Sequence, residues 1–369
     1  MKHKPNFLSV VAMLFAILIF AGCGNDQTKK QEGTIKIGVV VPLSGNAATL
    51  GDYTLKGLQI AVDEQNAKGG LLGKQIVLEI QDSKADPKEG VSIIKNMFSE
   101  IQKPSIVYSI MSSVTLAIKP ETEANKTILM SAVGTDKFLQ NSSYTIRNFV
   151  AATTIGQELS AYLKDSMQVH HLTVFYSNNE FGISVKDAML KYCHEKGINV
   201  GNAETYEETS LDYKSLIAAK VNKMTECIYV AGVGKGLGTM LKQIRESGYT
   251  GKIISDPLIT FPDVVNTAGD AIKGIPYLDF AFDVNSTDPT TKTFVNAFKS
   301  KFNRDPQNFT TITYDGAKML FDAITKVGSL HNDKVIAELN SMKDYNGVFG
   351  KNAVNNRNIK FTFVFKKVK

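Results

Sequence analysis

The chain has 369 residues, of which 43% are hydrophobic and 21% are charged, the composition of an ordinary globular protein of about two domains. Its formal net charge is +6, and Lys and Arg are spread along the chain rather than clustered, which argues against a nucleic-acid partner. The sequence also lacks low-complexity segments and repeats with the periods of solenoid proteins, so neither a disordered chain nor a repeat array is expected.

The beginning of the chain has the pattern of an export signal followed by a tether. Residues 1–22 consist of a short basic start, an almost unbroken apolar run and a small-residue end, which predicts a secretory signal peptide. The apolar run is shorter than the roughly 20 residues of a membrane span. The string Phe20-Ala21-Gly22-Cys23 resembles the bacterial lipobox and predicts lipidation of Cys23, with a polar tether over residues 23–33. An ordinary signal peptide with a chance cysteine is the alternative. We therefore expect a lipid-anchored protein on the extracytoplasmic side of a bacterial cell envelope.

Short apolar segments alternate with helical segments through the first half of the chain. Strands are predicted at 34–42, 75–80, 106–108 and 127–130, and helices at 51–66 and 87–98. Continuous apolar runs of this length are typical of strands that are buried on both faces of a parallel sheet. The alternation predicts an α/β fold with a doubly wound sheet.

Two neighbouring strands of this half each end in a small, polar turn. Residues 109–115 follow one strand and are rich in hydroxyls, and residues 131–136 follow the next strand and contain Gly134 and Thr135. Ligands of open parallel sheets bind outside the carboxyl ends of the strands. Hydroxyls, a glycine and the free N–H groups of a helix start together suit an anion, and a carboxylate is our first candidate. The alternative is that both turns are ordinary helix N-caps.

The second half of the chain continues the alternation of strands and helices. Strands are predicted at 172–176, 200–206, 227–231, 252–255 and 274–280, and amphipathic helices at 290–303 and 314–326. Alternating residues at 359–368 predict a final strand.

Motifs for nucleotide binding and catalysis fail on their spacing. The glycine run at 232–238 follows a strand, but it fits neither the dinucleotide nor the phosphate-loop pattern, and we interpret it as a flexible cleft loop. No serine elbow with a histidine partner and no zinc-protease motif is present, so we expect a protein that is not an enzyme and has no cofactor. Cys193 and Cys227 lack the spacing of metal ligands and are expected to be separate buried thiols.

A set of turn residues in the first half resembles one known family. The set comprises the run 37–45, Gly51-Asp52, the string Asn66-Ala-Lys-Gly-Gly70 with Gly73-Lys74, Asp82 and Asp86-Pro87, in order and at the expected distances. The sequence is similar to the leucine/isoleucine/valine-binding protein family, the substrate-binding proteins of branched-chain amino acid ABC transporters. The resemblance extends over essentially all of the chain after the tether. It implies the type I periplasmic-binding fold, in which two doubly wound Rossmann-like lobes are joined by a three-strand hinge.

The resemblance also implies how the chain is divided and how it works. The first lobe would contain residues 34–148 plus 283–346, and the second lobe residues 149–282 plus 347–369. A monomer would close around a small-molecule ligand and be recognised by a membrane permease. The family's disulfide in the first lobe is absent, because its positions are Ala85 and Met111.

The resemblance further assigns candidate ligand-binding positions. The ligand carboxylate would contact Ser112 and the turn Val133-Gly134-Thr135, and Asp256 is the acid nearest to the family's ammonium partner, one residue before the aligned Pro257. An aromatic position of the second lobe falls on Phe181. A second aromatic position, a tyrosine that touches the ligand ammonium in the family, falls on Val233, which removes a hydroxyl acceptor. Leu50 and Phe309 fall on side-chain pocket positions, with plain core packing as the alternative for these two residues and for Phe181.

The preferred function is that of a transport-binding protein for a carboxylate-bearing ligand, such as an aliphatic or other neutral amino acid. Alternatives are a non-amino-acid ligand, namely an amide or a small aromatic acid, and a sensor lobe that signals to a membrane receptor. A secreted enzyme is opposed by the missing catalytic motifs.

Overall fold

A computed structural model describes residues 33–369 of the chain. The predicted signal peptide and Cys23 lie outside the described residues. The strands are β1 (Ile35–Val41), β2 (Ile76–Asp82), β3 (Ile106–Ile110), β4 (Ile128–Ala132), β5 (Thr145–Arg147), β6 (His171–Ser177), β7 (Asn199–Tyr206), β8 (Cys227–Ala231), β9 (Lys252–Ser255), β10 (Pro276–Phe280), β11 (Tyr345–Gly347), β12 (Gly350–Asn355), β13 (Asn358–Lys360) and β14 (Phe363–Lys367). The helices are α1 (Ala48–Ala67), α2 (Pro87–Ser99), α3 (Ser112–Ala124), α4 (Ala152–Ala161), α5 (Glu180–Glu195), α6 (Lys214–Lys220), α7 (Gly234–Glu246), α8 (Pro262–Ala268), α9 (Pro289–Phe302), α10 (Asn308–Val327) and α11 (Asn332–Ser341).

The strands form two separate sheets, each at the centre of one lobe. The first sheet has the order β11-β12-β13-β5-β4-β3-β1-β2, and the second has the order β14-β10-β9-β8-β6-β7. The strands β1 to β5 pair in parallel, as do β6 to β10. Every residue of β3, β4, β8 and β10 is buried, because helices cover both faces of each sheet. The predicted doubly wound α/β fold with two lobes is confirmed.

Each sheet contains a point at which the order of the strands reverses. In the first sheet the reversal lies between β1 and β3, and in the second it lies between β6 and β8. The helices that follow the two strands leave on opposite faces there, which opens a crevice at the carboxyl ends of the strands. The fold therefore provides one crevice in each lobe.

Helix and turn boundaries follow local signals in the sequence. Asp86 caps α2, since its carboxylate accepts hydrogen bonds from the N–H groups of Lys88 at 2.6 Å and Glu89 at 3.3 Å. Gly70 turns the chain after α1 with a φ of 86°, and a Cβ atom there would lie 2.1 Å from the carbonyl oxygen of Lys74. This close approach requires glycine at position 70.

The chain passes between the two sheets three times: after β5, after β10 and after β13. The third passage corrects the predicted lobe boundary. We assigned residues 347–369 to the second lobe, but β12 and β13 belong to the first sheet, and only β14 joins the second. The predicted strand at 359–368 is two strands, which pair with different sheets on either side of residues 361–362.

A buried carboxylate explains why the segment after residue 346 stays with the first lobe. Asp315 of α10 accepts hydrogen bonds from the N–H groups of Val348 at 2.9 Å and Phe349 at 3.3 Å, and from the Asn352 side chain at 3.0 Å. Burial raises the pKa of Asp315 to about 6. Three donors on one carboxylate hold the β11–β12 hairpin against α10, an arrangement that the alternating pattern of residues 359–368 did not indicate.

Two further observations concern the described part of the chain. Between residues 33 and 369, each helix is too short or too polar to cross a lipid bilayer. Cys193 and Cys227 are free, buried thiols, as predicted, and burial raises the pKa of each thiol to about 12.

Candidate functional site

A cavity of about 40 Å³ lies between the carboxyl ends of the two sheets. Segments that follow β3, β4, β6, β7, β8 and β9 all contribute to its wall. Of the nine predicted ligand-binding residues, seven line the cavity: Leu50, Ser112, Val133, Gly134, Phe181, Val233 and Phe309. The other two, Thr135 and Asp256, are not part of its wall. The structure therefore brings residues from distant parts of the sequence to the crevices of the two sheets.

The N-terminus of α3 supplies the polar corner of the first lobe. Met111 precedes the helix with a φ of 74°, an unusual conformation for a residue other than glycine, and its side chain does not cap the helix. Within the described residues, no acceptor satisfies the N–H groups of Ser112, Ser113 and Val114. Ser112 and Ser113 both line the cavity. A helix start with free N–H groups and adjacent hydroxyls favours an anion.

The turn after β4 places Gly134 directly against an aromatic ring of the other lobe. A Cβ atom on Gly134 would lie 2.8 Å from the ring of Phe181, closer than carbon atoms approach each other. The absence of a side chain at this position therefore allows Phe181 to reach the first lobe. Gly134 and Phe181 therefore lie where the two lobes meet.

Thr135 takes part in a contact between the lobes. Its hydroxyl donates to the carboxylate of Glu180 at 2.9 Å and accepts from the Ser184 hydroxyl at 3.0 Å. Lys137 forms an ion pair with the same carboxylate at 2.9 Å, and the N–H of Glu180 donates to the Ser113 hydroxyl at 3.1 Å. The Thr135 hydroxyl thus faces Glu180 and Ser184 of the other lobe, and Thr135 is not part of the cavity wall.

A second contact between the lobes lies at the start of α7. The Asn46 side chain donates to the carbonyl oxygen of Val233 at 3.1 Å and accepts from the N–H of Lys235 at 3.0 Å. Gly234 has a φ of 64°, and a Cβ atom there would lie 2.2 Å from the carbonyl oxygen of Asn46. Glycine at this position permits the backbones of the two lobes to meet.

Asp256 is fully buried and holds backbone groups in place. Its two carboxylate oxygens accept hydrogen bonds from the N–H of Gly232 at 3.2 Å and the N–H of Leu258 at 2.9 Å. Burial raises the pKa of Asp256 to about 7. Backbone donors thus occupy both carboxylate oxygens, and Asp256 is not part of the cavity wall.

Glu208 is the carboxylate that does line the cavity, and the sequence analysis missed it. Its Oε1 atom accepts hydrogen bonds from the N–H of Val233 at 3.0 Å and from the Asn179 side chain at 3.2 Å. Burial raises its pKa to about 7. The only signal in the sequence is its position two residues after the end of β7, where the carboxyl end of a parallel strand predicts a place near a ligand.

The remaining wall of the cavity is apolar. Phe149 and Phe309 pack with ring centroids 5.1 Å apart, and Leu50, Val233 and Leu258 complete the surface. All five side chains are at least 94% buried, so they belong both to the hydrophobic core and to the cavity wall. The alternatives of core packing and pocket lining are therefore compatible for Leu50 and Phe309. The wall suits an apolar group.

The polar groups of the cavity wall are few. Its lining contains hydroxyls, free N–H groups and one carboxylate, but no Lys, Arg or His side chain. Within residues 33–369, no cluster of three or more His, Cys, Asp or Glu residues has the geometry of a metal site.

Comparison with known proteins identifies the family. A model of the periplasmic binding protein family matches residues 34–362. The leucine-, isoleucine-, valine-, threonine-, and alanine-binding protein of Pseudomonas aeruginosa is 24% identical over 333 residues, which cover 89% of this chain and 87% of the relative.

Two solved structures have the same fold. A leucine binding protein from Thermotoga maritima superposes with a TM-score of 0.84 and 21% identity, over 91% of this chain and 96% of the other. A solute binding protein from R. palustris in complex with benzoate superposes with a TM-score of 0.81 and 18% identity, over 91% and 94% of the two chains. The chain therefore belongs to the periplasmic binding protein family and has its type I fold, the fold of the substrate-binding proteins of branched-chain amino acid transporters that its turn residues resemble.

Proposed function

We propose that this protein is the extracytoplasmic substrate-binding component of an ABC importer, and that it binds a small neutral amino acid with an aliphatic side chain. The uncapped start of α3 is the observation that carries the proposal, since it presents Ser112 and Ser113 to an otherwise apolar cavity between two lobes. Free N–H groups and hydroxyls suit a carboxylate, and the wall around Leu50 and Phe309 suits an aliphatic side chain. Membership of the periplasmic binding protein family supports the same function.

The mechanism follows from the two lobes. The ligand carboxylate binds to Ser112 and to the turn at Val133 and Gly134, while the hinge is open. Closure then brings Phe181 over the ligand and forms the contacts of Thr135 with Glu180. Exclusion of water strengthens the charge-assisted hydrogen bonds inside the cavity. The closed form is the one that the permease of the importer recognises.

The location of the protein is part of the proposal. Residues 1–22 direct export, and Cys23 carries the lipid that holds the body outside the membrane. Membrane fractionation tests this anchor, since Cys23→Ser should move the protein from the membrane to the soluble fraction, whereas Cys193→Ser should not. A Cys23→Ser variant that stays with the membrane would contradict the anchor.

A second candidate ligand is a small aromatic acid. The R. palustris protein with the same fold was solved in complex with benzoate. The aromatic rings of Phe149, Phe181 and Phe309 around the cavity favour this alternative over an amide. Both classes of ligand carry a carboxylate, and in both cases it would bind at the start of α3.

Calorimetric titration of the purified protein distinguishes the two classes. The panel contains glycine, L-alanine, L-valine, L-leucine, L-isoleucine, their amides and benzoate. We expect at least one of the amino acids to bind with 1:1 stoichiometry and its amide to bind more weakly, because the amide lacks the anionic charge. Binding of benzoate without binding of any amino acid would overturn the amino-acid assignment.

A variant of Ser112 tests the polar corner with the amino acid that binds best. Ser112→Ala removes one hydrogen bond to a charged group, which costs about 1.5 kcal/mol and weakens binding roughly tenfold. Ser99→Ala is the matched control, because Ser99 is exposed at the end of α2 and bonds only to the backbone of its own helix. Equal affinities for the Ser112→Ala variant and the control would contradict the proposed corner.

A further inference from the structure

The second lobe contains a carboxylate that faces the cavity without a cation. Glu208 lines the cavity, and within residues 33–369 no ion pair includes it. Its Oε1 atom accepts hydrogen bonds from the N–H of Val233 and the Asn179 side chain, and the Ser177 hydroxyl also interacts with the carboxylate. All of these neighbours are neutral. A partly buried carboxylate of this kind is costly unless a positive charge approaches it.

The loop that holds Glu208 is fixed on both sides. The Tyr206 hydroxyl donates to the carbonyl oxygen of Ala231 at 3.1 Å, and the Tyr213 hydroxyl donates to the carbonyl oxygen of Glu207 at 2.7 Å. The two tyrosine rings pack edge to face with centroids 5.3 Å apart. Glu208 is therefore held by a built framework and does not simply extend from a mobile loop.

The glycine run after β8 contributes to the same framework. A Cβ atom on Gly232 would lie 1.9 Å from the Tyr206 hydroxyl oxygen, and one on Gly236 would lie 2.2 Å from the carbonyl oxygen of Glu208. Only glycine at these two positions lets the start of α7 pack against the loop after β7. The run that fails as a nucleotide motif thus has a structural purpose beside the cavity.

We propose that Glu208 receives the ammonium group of the ligand and thereby selects amino acids over carboxylic acids that lack an amino group. The inference rests on the function proposed above and names the residue that recognises the second charge of the ligand. Asp256, the acid that the resemblance suggests for this role, acts instead as a positioning residue, since it holds the N–H groups of Gly232 and Leu258. The zwitterion then spans the cavity from Ser112 in the first lobe to Glu208 in the second.

The experiment compares matched pairs of ligands that differ only in the amino group. L-leucine is paired with 4-methylpentanoate, L-valine with 3-methylbutanoate and L-alanine with propanoate, and each is titrated calorimetrically into wild type and Glu208→Gln. We expect the amino acid to bind wild type at least tenfold more tightly than its partner. Glu208→Gln should weaken binding of the amino acid by tenfold or more. Binding of the partner acid should be unchanged or tighter, so that the preference for the amino group is lost.

Two further variants separate recognition from folding. Glu207→Gln is the matched control, because it removes the adjacent, exposed carboxylate and should keep the preference for the amino group. Glu208→Asp keeps the charge on a shorter side chain and should restore part of the preference. In Glu208→Gln the side-chain oxygen can still accept a hydrogen bond from the N–H of Val233. We therefore expect the melting temperature of this variant to stay within a few degrees of wild type.

The outcomes distinguish this inference from the proposed function. If wild type binds an amino acid and Glu208→Gln retains the full preference for it over the partner acid, the role of Glu208 is overturned while the proposed function stands. If wild type binds none of the amino acids, both are overturned, because a site with an ammonium acceptor must take a ligand that carries one.

Discussion

The two sides of the cavity use different chemistry. The first lobe presents hydroxyls and backbone N–H groups at Ser112 and Ser113, which carry no formal charge, whereas the second lobe presents Glu208 with the buried Asp256 behind it. The first side depends on one helix start. The second depends on the ends of β7, β8 and β9 meeting in space. The proposed anion site is therefore formed by consecutive residues of the sequence. The proposed ammonium site at Glu208 needs three segments that are far apart in the sequence.

This difference polarises the cavity. The start of α3 contributes partial positive charge, and Glu208 contributes negative charge when it is ionised. Within residues 33–369, neither Glu208 nor Asp256 forms an ion pair that would cancel this polarity. A zwitterion placed across the two lobes complements both ends at once, and each end can be tested separately.

A negative charge placed on the first side of the cavity should have the largest effect on ligand affinity. Ser112→Asp places a carboxylate in the first turn of α3, where the helix dipole stabilises it. The new charge occupies the anion corner and repels the ligand carboxylate, at a cost of roughly 3 kcal/mol or about a hundredfold in affinity. Calorimetry with the best-binding amino acid measures the loss.

The control for this variant is Thr293→Asp. Thr293 is exposed near the start of α9, so the variant adds the same charge to a helix away from the cavity and should leave affinity unchanged. Ser112→Asp should also melt at or above the temperature of wild type. If it binds the amino acid as tightly as Thr293→Asp, the first side is not an anion site.

The second side should make ligand affinity depend on pH, with a fall of up to about 25-fold between pH 7.5 and 5.5. Burial raises the pKa of Glu208 and of Asp256 to about 7, so both carboxyls become protonated as the pH falls through 7. An ammonium group needs the ionised carboxylate, and each pH unit below the pKa lowers affinity by up to tenfold. Titration of the amino acid across this range measures the slope.

The folding stability of the ligand-free protein should depend on pH in the opposite direction to ligand affinity. A carboxyl with a raised pKa binds its proton more tightly in the folded state, so the stability that it supports is lost as the pH rises from the ordinary value towards 7. The titratable groups that influence Glu208 and Asp256 are each other, Glu207, Tyr206, Tyr213 and Tyr229, and all of them are acidic or neutral. Glu208→Gln should flatten the binding profile, and an unchanged slope in this variant would assign the dependence to another group.

The sequence predicted the first side of the cavity better than the second. Ser112, Val133 and Gly134 lie in turns whose composition alone suggests an anion site, since a helix start is defined by a few consecutive residues. Glu208 carries no such signal, because its neighbours Glu207 and Thr209 are ordinary exposed residues. Only the pairing of β7 with β6, and the close packing that Gly236 allows, bring it to the cavity.

The fold was similarly predictable where periodicity is local. The strands β1, β3, β4 and β8 are apolar runs that can only be buried, and each was predicted close to its observed place. The prediction of a single strand at 359–368 was wrong, because the alternating pattern continues through the passage between the two sheets. The interaction that decides its division, the hydrogen bonds from residues 348–352 to Asp315, links positions more than 30 residues apart.

The contact of Thr135 with Glu180 offers the smallest but most specific test. If Thr135 acts through closure of the lobes, then Thr135→Val and Glu180→Gln each weaken ligand binding by about 1 kcal/mol, roughly fivefold, and the double variant is little worse than either single one. If Thr135 instead contacts the ligand carboxylate, as the resemblance implies, the two effects add. Calorimetry of the four proteins with the same amino acid measures the coupling.

The opposite end of α5 provides the control for this cycle. Glu195→Gln removes an exposed carboxylate from the last turn of the same helix and should leave both affinity and coupling unchanged. Small-angle scattering of the ligand-free proteins adds an independent measurement, because loss of the Glu180 contact should expand the molecule whereas loss of a ligand contact should not. Additive effects without expansion would show that Thr135 acts by contacting the ligand and not by joining the lobes. The first side would then hold the ligand carboxylate with three hydroxyls.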